Sequence, residues 1–389
     1  MNCPFSQKGC GGCQGMGRPY GALLKEKDAA LRRLFPQALP MVGMANPLYC
    51  RNKVLRSFAN GKTSLYHGMY RTGTHQIISI DRCQAENQRA NEIANIALSL
   101  LSAAGLSAYR EDFHRGVLRH LLVRRAHHSG QALVTVITGG EDFPGGKEFA
   151  QALMERCPDV RGVIHNINPR GDSAVLGYRS HVLAGRDEIW DTMNGLQLCL
   201  TSRSFYQVNT EQAEKLYARA IEWAKLTGED AVLDAYCGVG AIGMLAARQA
   251  GRVTGIEIVP DAVACARRAA KRNSLSNIDF LCGDTARMLA RGQLSPTVAF
   301  MDPPRAGCSA DFLTGVTAAS PRRLIYISCD PHTLRRDVDW LTVHGYALDK
   351  VQGFDLFPYT PHVETVVLLC RKHIDAKKQI SVTIETEDS

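Results

Sequence analysis

Three short stretches of this 389-residue chain carry side chains suited to covalent chemistry. In "YISCDPHTL" (326–334) a lone cysteine, Cys329, closes a run of branched and aromatic residues just before an Asp-Pro turn. A buried structural thiol is the commoner fate of an isolated cysteine. This one, however, falls at the C-terminal lip of an expected strand and ahead of a helix start, on the edge where open α/β sheets bind ligands. In "MDPPR" (301–305) Asp302 stands at the lip of the preceding strand, and the Pro-Pro pair stiffens the loop because proline locks φ. "TPHVETV" offers Glu364 just ahead of the last expected strand, with His362 as a competing acid–base group. A thiol and a carboxylate on one sheet edge suit nucleophilic addition followed by proton removal.

A second constellation reads as a nucleotide-cofactor site. "VLDAYCGVGAIG" is a strand entering a turn with Gly238, Gly240 and Gly243, residues that let the backbone bend sharply and approach a ligand. Nineteen residues past Gly238, Glu257 closes the next strand, where a carboxylate can accept hydrogen bonds from two ribose hydroxyls. "GVGAIG" also satisfies the dinucleotide spacing, so nicotinamide and S-adenosylmethionine compete, and a ligand-free glycine turn is the bland alternative. Asp284, in "LCGD", follows the third strand within reach of an adenine edge. Together with the rigid Asp302 loop it favours S-adenosylmethionine, because a methyl acceptor must be held in line with the methyl–sulfur bond.

The third constellation is N-terminal. Cys3, Cys10 and Cys13 form C-x6-C-G-G-C in one glycine-rich loop, and thiolate-only ligation suits zinc or an iron–sulfur cluster. The fourth ligand is not adjacent; Cys83 in "DRCQAENQ" is the choice and Cys50 the runner-up. The thirteen cysteines are an odd, scattered set, which argues against a disulfide framework and for buried, catalytic or metal-bound thiols.

The elements that must position these groups divide the chain. Residues 20–35 have apolar residues at helical spacing with charges opposite, which predicts a surface helix. Up to about residue 200 the pattern is an α+β domain of mostly antiparallel strands, including "DSAVLGYRS". From 201 to 371, short apolar strands alternate with helices, the mark of an open, mainly parallel sheet. Residues 372–389 are polar, with at most one short strand before an acidic end. No apolar run approaches the roughly 20 residues that span a bilayer, and the N-terminus lacks a secretory layout, so a cytoplasmic protein without membrane contact is expected. The net charge of +8 is compatible with a phosphate-bearing partner. The basic strands "RNKVLR" and "RGVLRHLLVRRAHH" read, on pattern alone, as solvated strand faces.

An acceptor that needs both Cys329 and Glu364 is C5 of uracil, a weak carbon nucleophile. Thiolate addition at C6 makes C5 reactive, and a base must later take the C5 proton. "FYQVN", "DAYCGVG", "MDPPRAG", "YISCDPHTL" and "FDLFPYTPHVETV" resemble, in order and spacing, the RNA uracil-5-methyltransferase family over about residues 200–370. The resemblance implies an α/β fold: a Rossmann-like S-adenosylmethionine-dependent methyltransferase domain at 201–371, preceded by an α+β RNA-binding domain at 1–200. It implies Cys329 as nucleophile and Glu364 as base, with Gln207, Tyr236, Glu257 and Asp302 lining the cofactor and uracil site and Asp284 a weaker candidate. Ala241 departs from members with Asn in the glycine loop.

The cysteine loop resembles that of the family's ribosomal-RNA branch, which carries a 4Fe–4S cluster on C-x5-C-G-G-C with a distant fourth cysteine; here the first spacing is one residue longer. That implies a structural cluster on Cys3, Cys10, Cys13 and Cys83, with zinc as the alternative, and 5-methyluridine formation in 23S ribosomal RNA. "YCRNKV", "LRHLLVR" and "VIHNIN" extend the likeness and turn the basic strands into expected RNA contacts. The small N-terminal β-barrel of many relatives is expected to be missing, and the protein is expected to be a monomer. Transfer RNA as substrate, methylation of an exocyclic amine, an electron-carrying iron–sulfur protein and a non-catalytic RNA-binding module with a structural metal are the competing readings.

Overall fold

The computed structural model describes residues 3–62 and 64–372, so the short strand expected beyond residue 372 lies outside the described residues. The chain begins with a short helix α1 (Pro4–Gln7), the longer helix α2 (Tyr20–Leu34) and strand β1 (Leu39–Val42). Strands β2 (Lys53–Asn60), β3 (Leu65–Tyr70), β4 (Ile77–Ser79), β5 (Leu118–Arg125), β6 (Ala132–Thr138), β7 (Val160–Ile167) and β8 (Arg179–Gly185) form a seven-stranded sheet in the order β4-β3-β2-β5-β6-β7-β8. Its pairs are antiparallel except β6–β7, which are parallel. Helix α3 (Gln88–Ala103) covers one face of this sheet. Its buried stripe Ala90, Ile93, Ala94, Ala97 and Leu101 follows the three–four spacing of an amphipathic helix and packs on Val54, Leu121, Val123 and Val134. Helix α4 (Gly146–Arg156) makes the β6–β7 crossover. A hairpin of β9 (Glu188–Met193) and β10 (Leu196–Thr201) turns at Asn194-Gly195, both at positive φ, the conformation that two-residue hairpins require.

The second half alternates as its sequence predicts: α5 (Thr210–Ala224), β11 (Ala231–Ala235), α6 (Ala241–Ala247), β12 (Arg252–Glu257), α7 (Pro260–Arg272), β13 (Ile278–Cys282), α8 (Thr285–Ala290), β14 (Val298–Met301), α9 (Ala310–Ala319), β15 (Arg323–Ser328), α10 (Pro331–Val343), β16 (Tyr346–Phe354) and β17 (Glu364–Arg371). The sheet order is β1-β16-β17-β15-β14-β11-β12-β13, with β17 antiparallel to both neighbours. The order reverses between β11 and β14, which opens a crevice at the C-terminal ends of the strands.

Two expectations are revised. Strand β1 is not in the sheet of the first half: it pairs in parallel with β16, Leu39 opposite Gln352 and Val42 opposite Phe354. Leu31, Phe35 and Ala38 share a core with Leu334, Val338, Tyr346 and Val351. Residues 20–44 are therefore built into the C-terminal sheet, and the division near residue 200 is crossed by the chain. The physical reason is that the N–H and C=O groups of β16 need a partner on their open side. The second revision concerns "DSAVLGYRS", which is a loop up to Tyr178. There the Asn168 side chain bonds the carbonyls of Ala174 (2.6 Å) and Val175 (3.0 Å), so the backbone turns back on itself instead of pairing. Among the described residues no helix is long and apolar enough to cross a membrane.

Candidate active site

The glycine turn links β11 to α6. Tyr236, Gly238 and Gly240 all have positive φ, and at Gly240 a Cβ would lie 2.4 Å from the Phe280 ring. Glu257, the last residue of β12, accepts from the Gly238 N–H (3.1 Å) and the Val259 N–H (2.9 Å), so its carboxylate is oriented by the turn and keeps lone pairs for hydroxyl donors. Asp234, which the sequence reading passed over, accepts from the Gly243 N–H at 2.7 Å; a Cβ at Gly243 would meet the same oxygen at 2.8 Å. Burial pushes its carboxyl up to about 8, with Asp302 and Glu257 adding repulsion. Asp284 is exposed and accepts from the Arg287 N–H, capping α8, so one oxygen already has a structural partner. The half-buried Tyr236 ring lies 5.2 Å from Phe312, and burial raises its phenol.

One strand pair brings the thiol and the base together. The antiparallel β15–β17 ladder ends with Ser328 opposite Thr365, so Cys329 and Glu364 are the next residues beyond its end on the two sides, and Glu364 lies close enough to raise the Cys329 thiol. Glu364 is the first residue of β17 rather than a residue before it, and is 3% exposed. Burial and the neighbouring Asp302 hold its carboxyl well above the carboxylate range. Asp302 is itself pushed up to about 7 by burial. Burial raises the Cys329 thiol to about 11, with Glu364 and Asp302 adding to the rise and Arg305 opposing it. Three acidic groups thus share one poorly solvated spot, and like charges so placed cannot all ionise.

Gln207 is buried, and its carbonyl accepts from the Asn52 side chain at 2.9 Å. The Arg124 guanidinium holds the Ser204 carbonyl at 2.8 Å, so Asn52, just ahead of β2, and Arg124 of β5 fix the 204–209 segment. Tyr217 on α5 is buried beside this segment, and burial followed by Asp302 holds its phenol protonated. The sequence signal was available, since Tyr217 is the polar-tipped member of the apolar stripe Ala213, Leu216, Tyr217 and Ala220.

Cys329 opens into a cleft of about 540 Å³ lined by Arg305, Asp330 and His362 on one side and by Gly15, Leu23 and Lys27 on the other. Burial and then Arg305 lower the His362 imidazole, which makes it a weaker base. The cleft wall contributed by α2 was not foreseen.

Cys3, Cys10, Cys13 and Cys83 line one small cavity of about 20 Å³ with Phe5, Met69 and Ile80. The Cys50 sulfur instead lies 3.9 Å from the Pro47 and Ala85 carbonyls. Cys83 is held through Asn91, whose side chain exchanges hydrogen bonds with its backbone and also accepts from Arg56, while Arg56 pairs with buried Glu86. The donor chemistry, four thiols around an apolar pocket, fits a thiolate-bound centre. Among the described residues no three His, Cys, Asp or Glu side chains are gathered as a site for one metal ion.

The parallel sheet, glycine turn and ribose-placed acid define a nucleotide-cofactor transferase of the methyltransferase class. The tRNA (Uracil-5-)-methyltransferase family profile matches residues 192–372. An RNA methyltransferase of Halalkalibacterium halodurans is 36% identical over 380 residues, covering 94% of this chain and 82% of that protein. One from Clostridium acetobutylicum is 36% identical over 378 residues with the same coverage. In fold, the chain is similar to the Pyrococcus abyssi tRNA (uracil-54, C5)-methyltransferase crystallised with S-adenosyl-L-homocysteine: TM-score 0.76 and 24% identity, over 90% of this chain and 83% of that one. The chain belongs to the RNA uracil-5-methyltransferase family, and it is an S-adenosylmethionine-dependent RNA methyltransferase.

Proposed function

We propose that this enzyme forms 5-methyluridine in 23S ribosomal RNA, acting as a cytoplasmic monomer through a covalent Cys329 adduct. The observation that carries the mechanism is that Cys329 and buried Glu364 stand side by side just past the end of the β15–β17 ladder. The Cys329 thiol gives its proton to solvent, the thiolate adds to C6 of a uracil turned out of its stack, and the C5=C6 electron pair moves into the C4 carbonyl as an enolate. When bound, S-adenosylmethionine would supply an electrophilic methyl to C5, with the methyl–sulfur bond breaking and a neutral thioether as the leaving group. Glu364, in its ionised form, then removes the C5 proton, those electrons restore C5=C6, and the thiolate is expelled. Gln207 and Asp302 would border the uracil, and Glu257 and the Gly238 turn would hold the cofactor's sugar.

Four thiols facing one cavity support a 4Fe–4S cluster on Cys3, Cys10, Cys13 and Cys83 and, through it, the ribosomal-RNA reading. Equal iron and acid-labile sulfide in protein purified without oxygen supports the cluster; zinc in their place removes it. Transfer RNA is the second reading, favoured by the transfer-RNA substrate of the archaeal protein whose fold is similar. Incubating each RNA with labelled cofactor separates the two: label confined to transfer RNA refutes the ribosomal choice. RNA carrying 5-fluorouridine must form a stable adduct at Cys329, because fluorine at C5 cannot be removed as a proton. Absence of that adduct, or its formation at another cysteine, ends the mechanism, and normal methylation by Cys329→Ala points to exocyclic-amine chemistry instead.

A further inference from the structure

Lys27 is a buried charge that the mechanism above does not use. It lies on α2, is 6% exposed, and lines the Cys329 cleft. Its ammonium bonds the Asp355 carboxylate at 2.6 Å and the carbonyls of Phe357 at 3.0 Å and His362 at 2.9 Å, which uses all three of its N–H donors. All three acceptors belong to one loop, residues 355–363, which connects β16 to β17. That loop delivers Glu364, and His362 lies two residues before it. Asp355 is 1% exposed, and its second oxygen has no protein partner. The Gly15 N–H holds the Tyr359 carbonyl at 2.9 Å, a second bond from the N-terminal segment to the same loop.

A buried ion pair is a poor device for stability alone, since well-packed apolar side chains hold a helix to a loop as well or better. An ammonium does something that an apolar group cannot. It fixes two backbone carbonyls and a carboxylate around one point, and so sets the path of the chain entering Glu364. We propose that Lys27 is a positioning residue for Glu364: it sets the place from which this carboxylate takes the C5 proton, and so governs release of the methylated uracil from Cys329. The inference rests on the covalent mechanism proposed above. It concerns the last step of that mechanism: the C5–H bond breaks, its electron pair re-forms C5=C6, and the C6–S bond breaks to regenerate thiolate.

The test is single-turnover kinetics of the full-length protein on unmodified 23S ribosomal RNA transcript, beside trapping on the same RNA made with 5-fluorouridine. Trapping needs Cys329 addition and methyl transfer but not proton removal. Lys27→Met should trap at close to the wild-type rate, while product release slows about 10- to 100-fold, the scale of a catalytic group misplaced by about 1 Å. The methylated Cys329–RNA adduct should accumulate on unmodified RNA, as it should in Glu364→Gln. Product release at the wild-type rate overturns the inference, and so does a loss of trapping as large as the loss of release. Asp355→Asn keeps the shape and both carbonyl bonds, so it tests the idea even where Lys27→Met fails to fold. It must delay release in the same direction by a smaller factor, and normal release in it overturns the proposal. If wild-type enzyme forms no 5-fluorouridine adduct on either ribosomal or transfer RNA, the covalent mechanism itself has failed. If wild type and Glu364→Gln behave as described and Lys27→Met releases normally, only the role of Lys27 is lost.

Discussion

Cys329, Glu364 and Asp302 are each raised out of their ordinary range, and the common cause is burial among one another. A thiol at about 11 is almost wholly protonated near neutrality. Alkylation of Cys329 by iodoacetamide in the cofactor-free protein should therefore rise about tenfold per pH unit through the neutral range, because only the thiolate reacts. Mass spectrometry of the Cys329 peptide gives the rate, and a plateau at neutral pH contradicts the assignment. Asp302→Asn removes one repelling carboxylate, so it should speed alkylation above about pH 7, where Asp302 is ionised, while impairing methylation. Stability follows the same groups. Asp234 near 8 and Asp302 near 7 keep protons that the unfolded chain has released above its ordinary carboxylate range. The folded state then binds more protons than the unfolded one, and stability falls as pH rises from about 4 to about 8. The thermal midpoint of the cofactor-free protein should fall across that window, and Asp234→Asn should flatten the fall.

At the scale of the element, the turn from β11 to α6 is defined by what a side chain would strike. Gly240 combines φ of +80° with the Phe280 ring 2.4 Å from any Cβ. Gly240→Ala should cost about 1–3 kcal/mol, the usual range for overpacking, read from the urea midpoint. It should weaken S-adenosylmethionine binding in calorimetry as well, since Glu257 is oriented by the same turn. In the cysteine segment the corresponding element is the buried Arg56–Glu86 pair beside Asn91 and Cys83. Arg56→Met leaves the Glu86 carboxylate unpaired in the interior, with an expected loss of about 3–5 kcal/mol in chemical denaturation.

For the molecule as a whole, the N-terminal 44 residues belong to both halves. Strand β1 closes the β16 edge, and α2 supplies one wall of the Cys329 cleft. A fragment starting at residue 201 would expose that edge, together with the apolar surface under Leu31 and Phe35. It should elute as aggregate in size-exclusion chromatography and form no 5-fluorouridine adduct. A soluble, adduct-forming fragment would show that the N-terminal segment is dispensable for the chemistry.

Much of this was legible in the residues because it is local. The glycine turn, Glu257 at the next strand end, Asp302 before Pro-Pro, and the strand–helix alternation each depend on neighbours within a few positions. Backbone sterics and hydrogen bonding act at that range. Tertiary structure alone decided that β1 leaves its neighbours for β16, that Asn52 holds the Gln207 carbonyl and that Lys27 grips residues 355–362. An apolar stripe declares that a face will be buried but not against what. The partner is chosen by which distant surface leaves no donor unpaired and no gap, a property of the packed whole.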